Sequence, residues 1–190
     1  MLYLLHMTNY CGKFLLAKPS LADPNFSQSV VLLIGGNNEE GAFGLVLNRP
    51  TNKKIKTLWE ALIQQPCQHE EHVFIGGPVE CPLTALHRAK VFGDSEILPD
   101  LFLTSSKEHL NHLIEKKVEP IRFFVGGSGW GAGQLANEIK EGTWLVGQAI
   151  SSLVFADPSN LWQSLLEVFG QNLLAEMLPI KQFPDKPNMN

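Results

Sequence analysis

A single mixed α and β domain, built from antiparallel strand pairs and not from a regular βαβ series, is the fold class this sequence predicts. Three observations carry that expectation. The chain has 190 residues, the length of one domain with a sizeable buried core. Short β-branched and leucine-rich runs alternate with segments of helical spacing from one end to the other. Between Val30–Ile34 and Gly44–Leu47 stands Gly35-Gly36-Asn37-Asn38, a turn signal that returns the chain alongside itself.

The elements follow in order. Residues 1–11 read as an N-terminal arm: Met1 to Met7 is apolar but short, and no basic residue precedes it, so it lacks the parts of a signal peptide. Leu15-Leu16-Ala17 is a strand stopped by Lys18-Pro19. Val30 to Ile34 suits a strand buried on both faces, and Gly44 to Leu47 pairs with it before Asn48-Arg49-Pro50. Thr57 and Glu60 have the spacing of a capping box, which predicts a helix to about Gln65, ahead of Pro66. Val73 to Ile75 is a strand ended by Gly76-Gly77-Pro78. Thr84–Ala89 and Leu101–Thr104 are further strands. Ser105 and Glu108 form a second capping box, with Leu110, Leu113 and Ile114 on one helical face. Ile121 to Val125 leads into the glycine-rich turn 126–133, and a helix from about Gln134 stops at Gly142. Thr143 to Val146 is the last strand. Asp157-Pro158 caps and opens a helix carrying Leu161, Trp162, Leu165, Leu166 and Phe169, with Gly170 beyond it. A short helix from Leu173 to Leu178 stops at Pro179, and the polar tail 180–190 frays.

Composition narrows the function classes. Hydrophobic residues make up 44% and charged residues 18%, which excludes a disordered tail. No apolar run reaches the ~20 residues that span a bilayer, so no membrane association is expected. The net charge of −4 supplies no basic face for phosphates, and no helix-turn-helix is recognisable, so direct DNA binding is not expected. Three cysteines, Cys11, Cys67 and Cys81, are an odd number; they fit a reducing cytoplasm better than a secreted disulfide framework. The expectation is a cytoplasmic monomer with free thiols, open to disulfide-linked dimers on oxidation, with Cys11 as the first candidate.

Catalytic motifs are near misses. Gly127, Gly129 and Ala132 fit G-x-G-x-x-A between a strand and a helix, the place of a dinucleotide loop. Trp130, however, stands where the backbone should approach a pyrophosphate, and no acid follows some 20 residues on. Gly126-Gly127-Ser128-Gly129-Trp130 departs from a nucleophile elbow at its last position. His69 and His72 are three residues apart, not the four of a zincin helix, and no C-x-x-C pair joins Cys67, Cys81 or His87 to them; the segment reads as a solvated loop. His109 and His112 read as surface histidines. No catalytic set, cofactor or metal is expected.

Several segments together resemble the YqgE/AlgH family. They are Gly12-Lys13-Phe14-Leu15-Leu16-Ala17-Lys18-Pro19, Asp23-Pro24-Asn25-Phe26-Ser27-Gln28-Ser29-Val30, Gly41-Ala42-Phe43-Gly44-Leu45-Val46-Leu47-Asn48-Arg49-Pro50, Gly76-Gly77-Pro78-Val79 and Gly129-Trp130-Gly131-Ala132-Gly133-Gln134-Leu135, followed by Glu138 and Trp144. The departures are Lys18, where a Met is common, and Gly127-Ser128. The resemblance implies an α+β sandwich spanning the whole chain, with a mixed, bifurcated or partly barrel-like sheet flanked by helices. It also implies a bacterial protein bearing a transcriptional-regulator label and no assigned enzyme activity.

The glycines and prolines of these motifs fall at strand ends, where loops converge. A shallow interaction cleft is therefore expected from Phe43, Asn48, Arg49, Pro50, Gly76, Gly77, Pro78, Gly129, Trp130, Gln134 and Glu138. Trp130 would be its apolar wall, or else a core residue packed under the glycine turn, and Arg49 or Gln134 the polar groups that orient a protein or small-molecule partner. The alternative is an enzyme of hydrolase or nucleotide-using type centred on 126–133.

Overall fold

The unbroken apolar runs of the sequence become strands with a different core on each face. The computed structural model describes residues 9–64 and 66–177. Its strands are β1 (Lys13–Ala17), β2 (Val30–Asn37), β3 (Gly41–Val46), β4 (Pro50–Lys54), β5 (His72–Ile75) and β6 (Thr84–His87). They continue as β7 (Ser95–Leu98), β8 (Leu101–Thr104), β9 (Ile121–Val125), β10 (Ser128–Trp130) and β11 (Trp144–Gln148). The helices are α1 (Ile55–Ile63), α2 (Lys107–Glu115), α3 (Gln134–Glu141) and α4 (Leu161–Met177).

Two open sheets form, with orders β10-β3-β2-β1-β11 and β4-β5-β9-β6-β8-β7. The first is antiparallel throughout, and the second is mixed because β5 and β9 run parallel. Alternation along each strand divides the core. Phe14, Leu16, Val30, Leu32 and Leu45 meet Phe74, Leu86 and Phe124 of the second sheet, and Leu161 and Leu165 of α4 join them. The opposite face of the first sheet offers Leu15, Val31, Leu33 and Val46 to Leu135 of α3. The opposite face of the second gives Val73, Ala85 and Phe123 to α1 and α2. This is the α+β architecture expected, with its mixed strands divided between two open sheets that touch where Val46 N–H donates to the Gly76 carbonyl.

Long-range contacts override several local signals. Helix α1 begins at Ile55, two residues before Thr57, because the Glu71 carbonyl takes the Ile55 N–H at 2.9 Å; Thr57 caps nothing. Helix α2 begins after Ser106, whose side chain makes no cap bond to the helix. Asp94, at the head of β7, instead accepts the amides of Ser105 (2.7 Å) and Ser106 (2.9 Å), and the Ser106 hydroxyl besides. Asp157 closes an Asx turn on Ser159, so α4 starts only at Leu161, with Pro158 outside it. That helix runs through Gly170 to Met177 as one element, so no break precedes Leu173. Strands β4, β7 and β10 lack the apolar alternation that would announce them. Cys67 and His69 are buried, so their segment is no solvated loop. Cys11 is half-buried, with its Sγ 3.4 Å from the Ile34 carbonyl oxygen, and is no exposed thiol of a mobile end. Arm residues 1–8, Gln65, Leu178, Pro179 and the tail 180–190 lie outside the described residues.

Candidate functional site

Where the two sheets touch, glycine backbones replace side chains. A Cβ on Gly76 would stand 2.4 Å from the Gly126 carbonyl oxygen, and one on Gly77 would stand 2.3 Å from that of Gly127. Only glycine permits this approach. Gly127 and Val79 exchange N–H···O bonds of 2.8 and 2.9 Å across the junction. The ring of Phe43 lies over Gly127, where a Cβ would be 2.2 Å from it. The glycine-rich run therefore does not turn straight from strand to helix. It crosses between sheets and adds β10 beside β3, and the space a pyrophosphate would need over Gly127 holds Phe43.

Beside this junction, three stretches of chain border a pocket of about 180 Å³ lined by Pro24, Asn25, Val46, Arg49, Ile75, Gly77 and Pro78. Each wall has a local cause. The Asp23 carboxylate accepts the amides of Asn25 (2.8 Å) and Phe26 (3.2 Å), which curls the first loop. Asn48 ties that loop to the sheet: its Oδ1 accepts Val30 N–H at 3.0 Å and its Nδ2 donates to the Gln28 carbonyl at 2.8 Å. Arg49 follows, half-buried, and its Nη2 donates to the Ser27 carbonyl. Among the described residues no carboxylate lies within ion-pair distance of Arg49; every such pair involves other groups. Burial pulls its pKa below the usual arginine value. Pro50 is exposed at the start of β4.

Trp130, Gln134 and Glu138 form a neighbouring cluster on the same face of the first sheet, where Trp130 and the pocket residue Val46 share a core. Glu138 Oε2 accepts the indole N–H of Trp130 at 2.9 Å and of Trp144 at 2.8 Å. Its Oε1 accepts from the Gln134 amide at 2.9 Å, and Gln134 Oε1 receives the Gly131 N–H at 3.0 Å. The Phe26 ring packs 6.0 Å from Trp130 and 5.6 Å from Trp144. The loop that walls the pocket thus also covers the indoles. Of the eleven expected cleft residues, Arg49, Gly77 and Pro78 meet directly in the pocket. Asn48 and Gly76 support them from behind, Phe43 and the exposed Gly129 lie along the junction, and Trp130 is a core residue, not a pocket wall.

Other chemistry-bearing groups are held by neighbours. Ser128 is buried and its hydroxyl donates to the Gly76 carbonyl at 2.9 Å. Thr104 Oγ1 lies 2.7 Å from His87 Nε2, the spacing of a nucleophile and its base. The proton sits on the wrong side for that role: His87 Nδ1 accepts the Ala89 N–H at 3.2 Å, so Nε2 carries the hydrogen and donates. Both side chains are fully buried, and burial drives the His87 pKa down to about 4. His69 places Nδ1 2.8 Å from Glu71 Oε2 and Nε2 3.2 Å from the Leu113 carbonyl oxygen. His72 Nδ1 is 2.8 Å from the Thr51 carbonyl oxygen. Among the described residues no group of three His, Cys, Asp or Glu is placed to hold a metal.

Residues outside the eleven expected ones also shape the site. Pro24, Asn25 and Ile75 line the pocket; the first two stand in the family-like segment 23–30, and Ile75 ends a predicted strand. Arg122, buried on β9, donates to the carbonyls of Leu47 (3.0 Å) and Ala156 (2.8 Å) and stacks 4.4 Å from the Phe74 ring centre. Burial lowers its pKa to about 10. By anchoring Leu47 it fixes the strand end from which Arg49 projects. Among the described residues no helix is long and apolar enough to cross a membrane.

Comparison with known proteins finds consistent relatives. A family model described as AlgH-like matches residues 14–174. A UPF0301 protein of Chlorobaculum tepidum is 38% identical over 186 residues, covering 94% of this chain and 95% of its own. A UPF0301 protein of Streptomyces avermitilis is 33% identical over 203 residues, 97% of each chain. The solution structure of the AlgH protein from Pseudomonas aeruginosa superposes with a TM-score of 0.72 at 29% identity, over 95% of this chain and 96% of that one. A crystal structure of a Corynebacterium diphtheriae protein gives a TM-score of 0.68 at 24% identity, over 84% and 86%, and shows likeness of fold alone.

Proposed function

The chain belongs to the AlgH-like family, and from that premise we propose that it is a non-enzymatic interaction protein of regulatory type, which captures a protein or small-molecule partner in the cleft at Arg49. One observation carries this reading. A half-buried guanidinium with no carboxylate in ion-pair distance among the described residues lines a pocket whose walls come from three separate stretches of chain. Taking charge out of water is costly, and a fold that keeps a half-buried guanidinium beside an opening, held by the Ser27 carbonyl, is suited to a partner that supplies a counter-charge. Ile75 and Val79 extend the cleft with apolar surface, 48% and 43% exposed. In this reading the protein works as a cytoplasmic monomer, and its three free cysteines agree with a reducing compartment. An enzyme centred on 126–133 has less support, because Phe43 covers Gly127 and the Ser128 hydroxyl is held by a backbone carbonyl.

The test is affinity capture from bacterial cytosol with the wild-type chain, Arg49→Ala and Val91→Ala. Val91 is 82% exposed and lies away from the cleft, on the 3₁₀ turn Lys90–Phe92. A partner retained by wild type and Val91→Ala but lost by Arg49→Ala is the expected result. Identical capture by all three chains would refute the reading.

A further inference from the structure

We infer that the Arg49 pocket recognises a carboxylate borne on a short branched aliphatic group, the chemistry of a polypeptide C-terminus ending in Val, Ile or Leu. The inference rests on the docking reading above and deepens it by naming what docks. Size is the first argument. A pocket of about 180 Å³, open to solvent on one side, is small beside the roughly 300–1,000 Å³ of typical small-molecule sites and suits one branched side chain and its carboxylate.

Chemistry is the second. The walls divide into an apolar part, Pro24, Val46, Ile75 and Pro78, and a polar part, Arg49 and Asn25. The cation is a guanidinium, whose planar fork matches a carboxylate in a bidentate pair. One of its nitrogens is already fixed by the Ser27 carbonyl, so the group is oriented before a ligand arrives. Asp23, the acid beside the wall residues Pro24 and Asn25, is engaged with the amides of Asn25 and Phe26 and belongs to the turn. An ammonium ligand would meet like charge at Arg49.

Backbone is the third. Gly77 brings main chain, with no side chain, to the pocket wall. Its φ of 148° and a neighbouring carbonyl 2.3 Å from where a Cβ would stand keep that position free of one. Ile75, a wall residue 48% exposed, and Val79, next in sequence to the wall residue Pro78 and 43% exposed, offer apolar surface to the preceding residues of an incoming chain.

The experiment titrates the full chain, labelled with ¹⁵N, with three probes: acetyl-Gly-Ser-Gly-Val as the free acid, the same peptide as its C-terminal amide, and 3-methylbutanoate. The free acid is expected to shift the backbone signals of Asn25, Ile75 and Gly77, and to bind about tenfold or more tightly than the amide. Arg49→Ala should abolish that preference, and Arg49→Lys should restore part of it. Binding of 3-methylbutanoate with at least the affinity of the peptide would assign the source to a free small acid; weaker binding would assign it to a chain end. Equal affinity for acid and amide, or no shifts at these residues with any probe, would overturn the inference. If cytosolic capture still depends on Arg49 in that case, the docking reading stands and the carboxylate alone falls.

Discussion

Replacing Glu138 by alanine tests the cluster behind the cleft most sharply. The carboxylate accepts two indole N–H groups, from Trp130 and Trp144, whose side chains are only 5% and 3% exposed. Truncation leaves both donors without their acceptor. An orphaned buried donor costs about 1–3 kcal/mol. Glu138 itself is half-buried, so water reaches part of the gap and the lower half of that range applies to each indole. Two donors give about 3 kcal/mol. For a domain of this size one kcal/mol moves Tm by about 2–4 °C, so Glu138→Ala should melt about 6–12 °C below wild type. Glu138→Gln keeps the shape and one good acceptor and should lose about 1 kcal/mol. Gln134→Ala removes only an exposed partner and should lose less than either. Thermal and urea unfolding followed by far- and near-ultraviolet circular dichroism measure all three. A Glu138→Ala chain within about 0.5 kcal/mol of wild type would refute the reasoning.

The remaining predictions concern pH, the glycine junction and metal. His87 is held neutral, with a folded pKa of about 4 against 6.5 for the free side chain, so the unfolded state binds more protons between those values. Stability should therefore fall by about 3 kcal/mol as pH drops from 6.5 to 4, as read from denaturation midpoints across that window; a flat profile there contradicts the buried neutral assignment. Asp94, brought down to about 2 chiefly by the amides of Ser105 and Ser106 and by His109, should add a second loss below pH 3.8, absent in Asp94→Asn. Gly77→Ala should not fold, because its Cβ meets the Gly127 carbonyl at 2.3 Å, whereas Gly129→Ala, with an ordinary 3.5 Å contact to Val79, should fold normally. Circular dichroism of the purified variants decides between them. Elemental analysis of freshly purified protein should find no stoichiometric zinc; one zinc per chain, lost on Cys67→Ala, would contradict the engagement of His69 with Glu71 and Leu113 and of His72 with Thr51.

Strand cores were legible because their residues pack locally: Val30 to Leu33 alternates between two cores, and a run apolar on both faces is the signature of that arrangement. Helix starts were not, since the groups that satisfy them are distant in sequence. Glu71 receives the Ile55 N–H, and Asp94 does the work of a cap for a helix more than ten residues away. The strand β10 is not legible in sequence for a related reason: Ser128-Gly129-Trp130 has no strand pattern, and only its register against Ala42–Gly44 makes it one. In the cleft, Arg49 and Pro78 stood out through the turn residues around them. Ile75 and Val46 did not, since an apolar residue gives no sign in sequence that its face opens on a pocket. For Trp130 the sequence leaves two readings, cleft wall and core residue under the glycine turn, and the core reading holds; its acceptor, Glu138, becomes its partner only once α3 folds back over β10.

The account's central claim is that the partner docks at Arg49, and the footprint of a captured partner on this chain tests it most directly. Amide hydrogen exchange of the complex against the free chain would locate that footprint segment by segment. Slowed exchange is predicted at 24–28, 46–49 and 75–79, the three stretches that wall the pocket, with the rest of the chain unchanged. Protection confined elsewhere, for instance to 119–122 and 155 around the second cavity lined by Glu71, Glu119 and Arg122, with those three stretches exchanging as in the free chain, would contradict it.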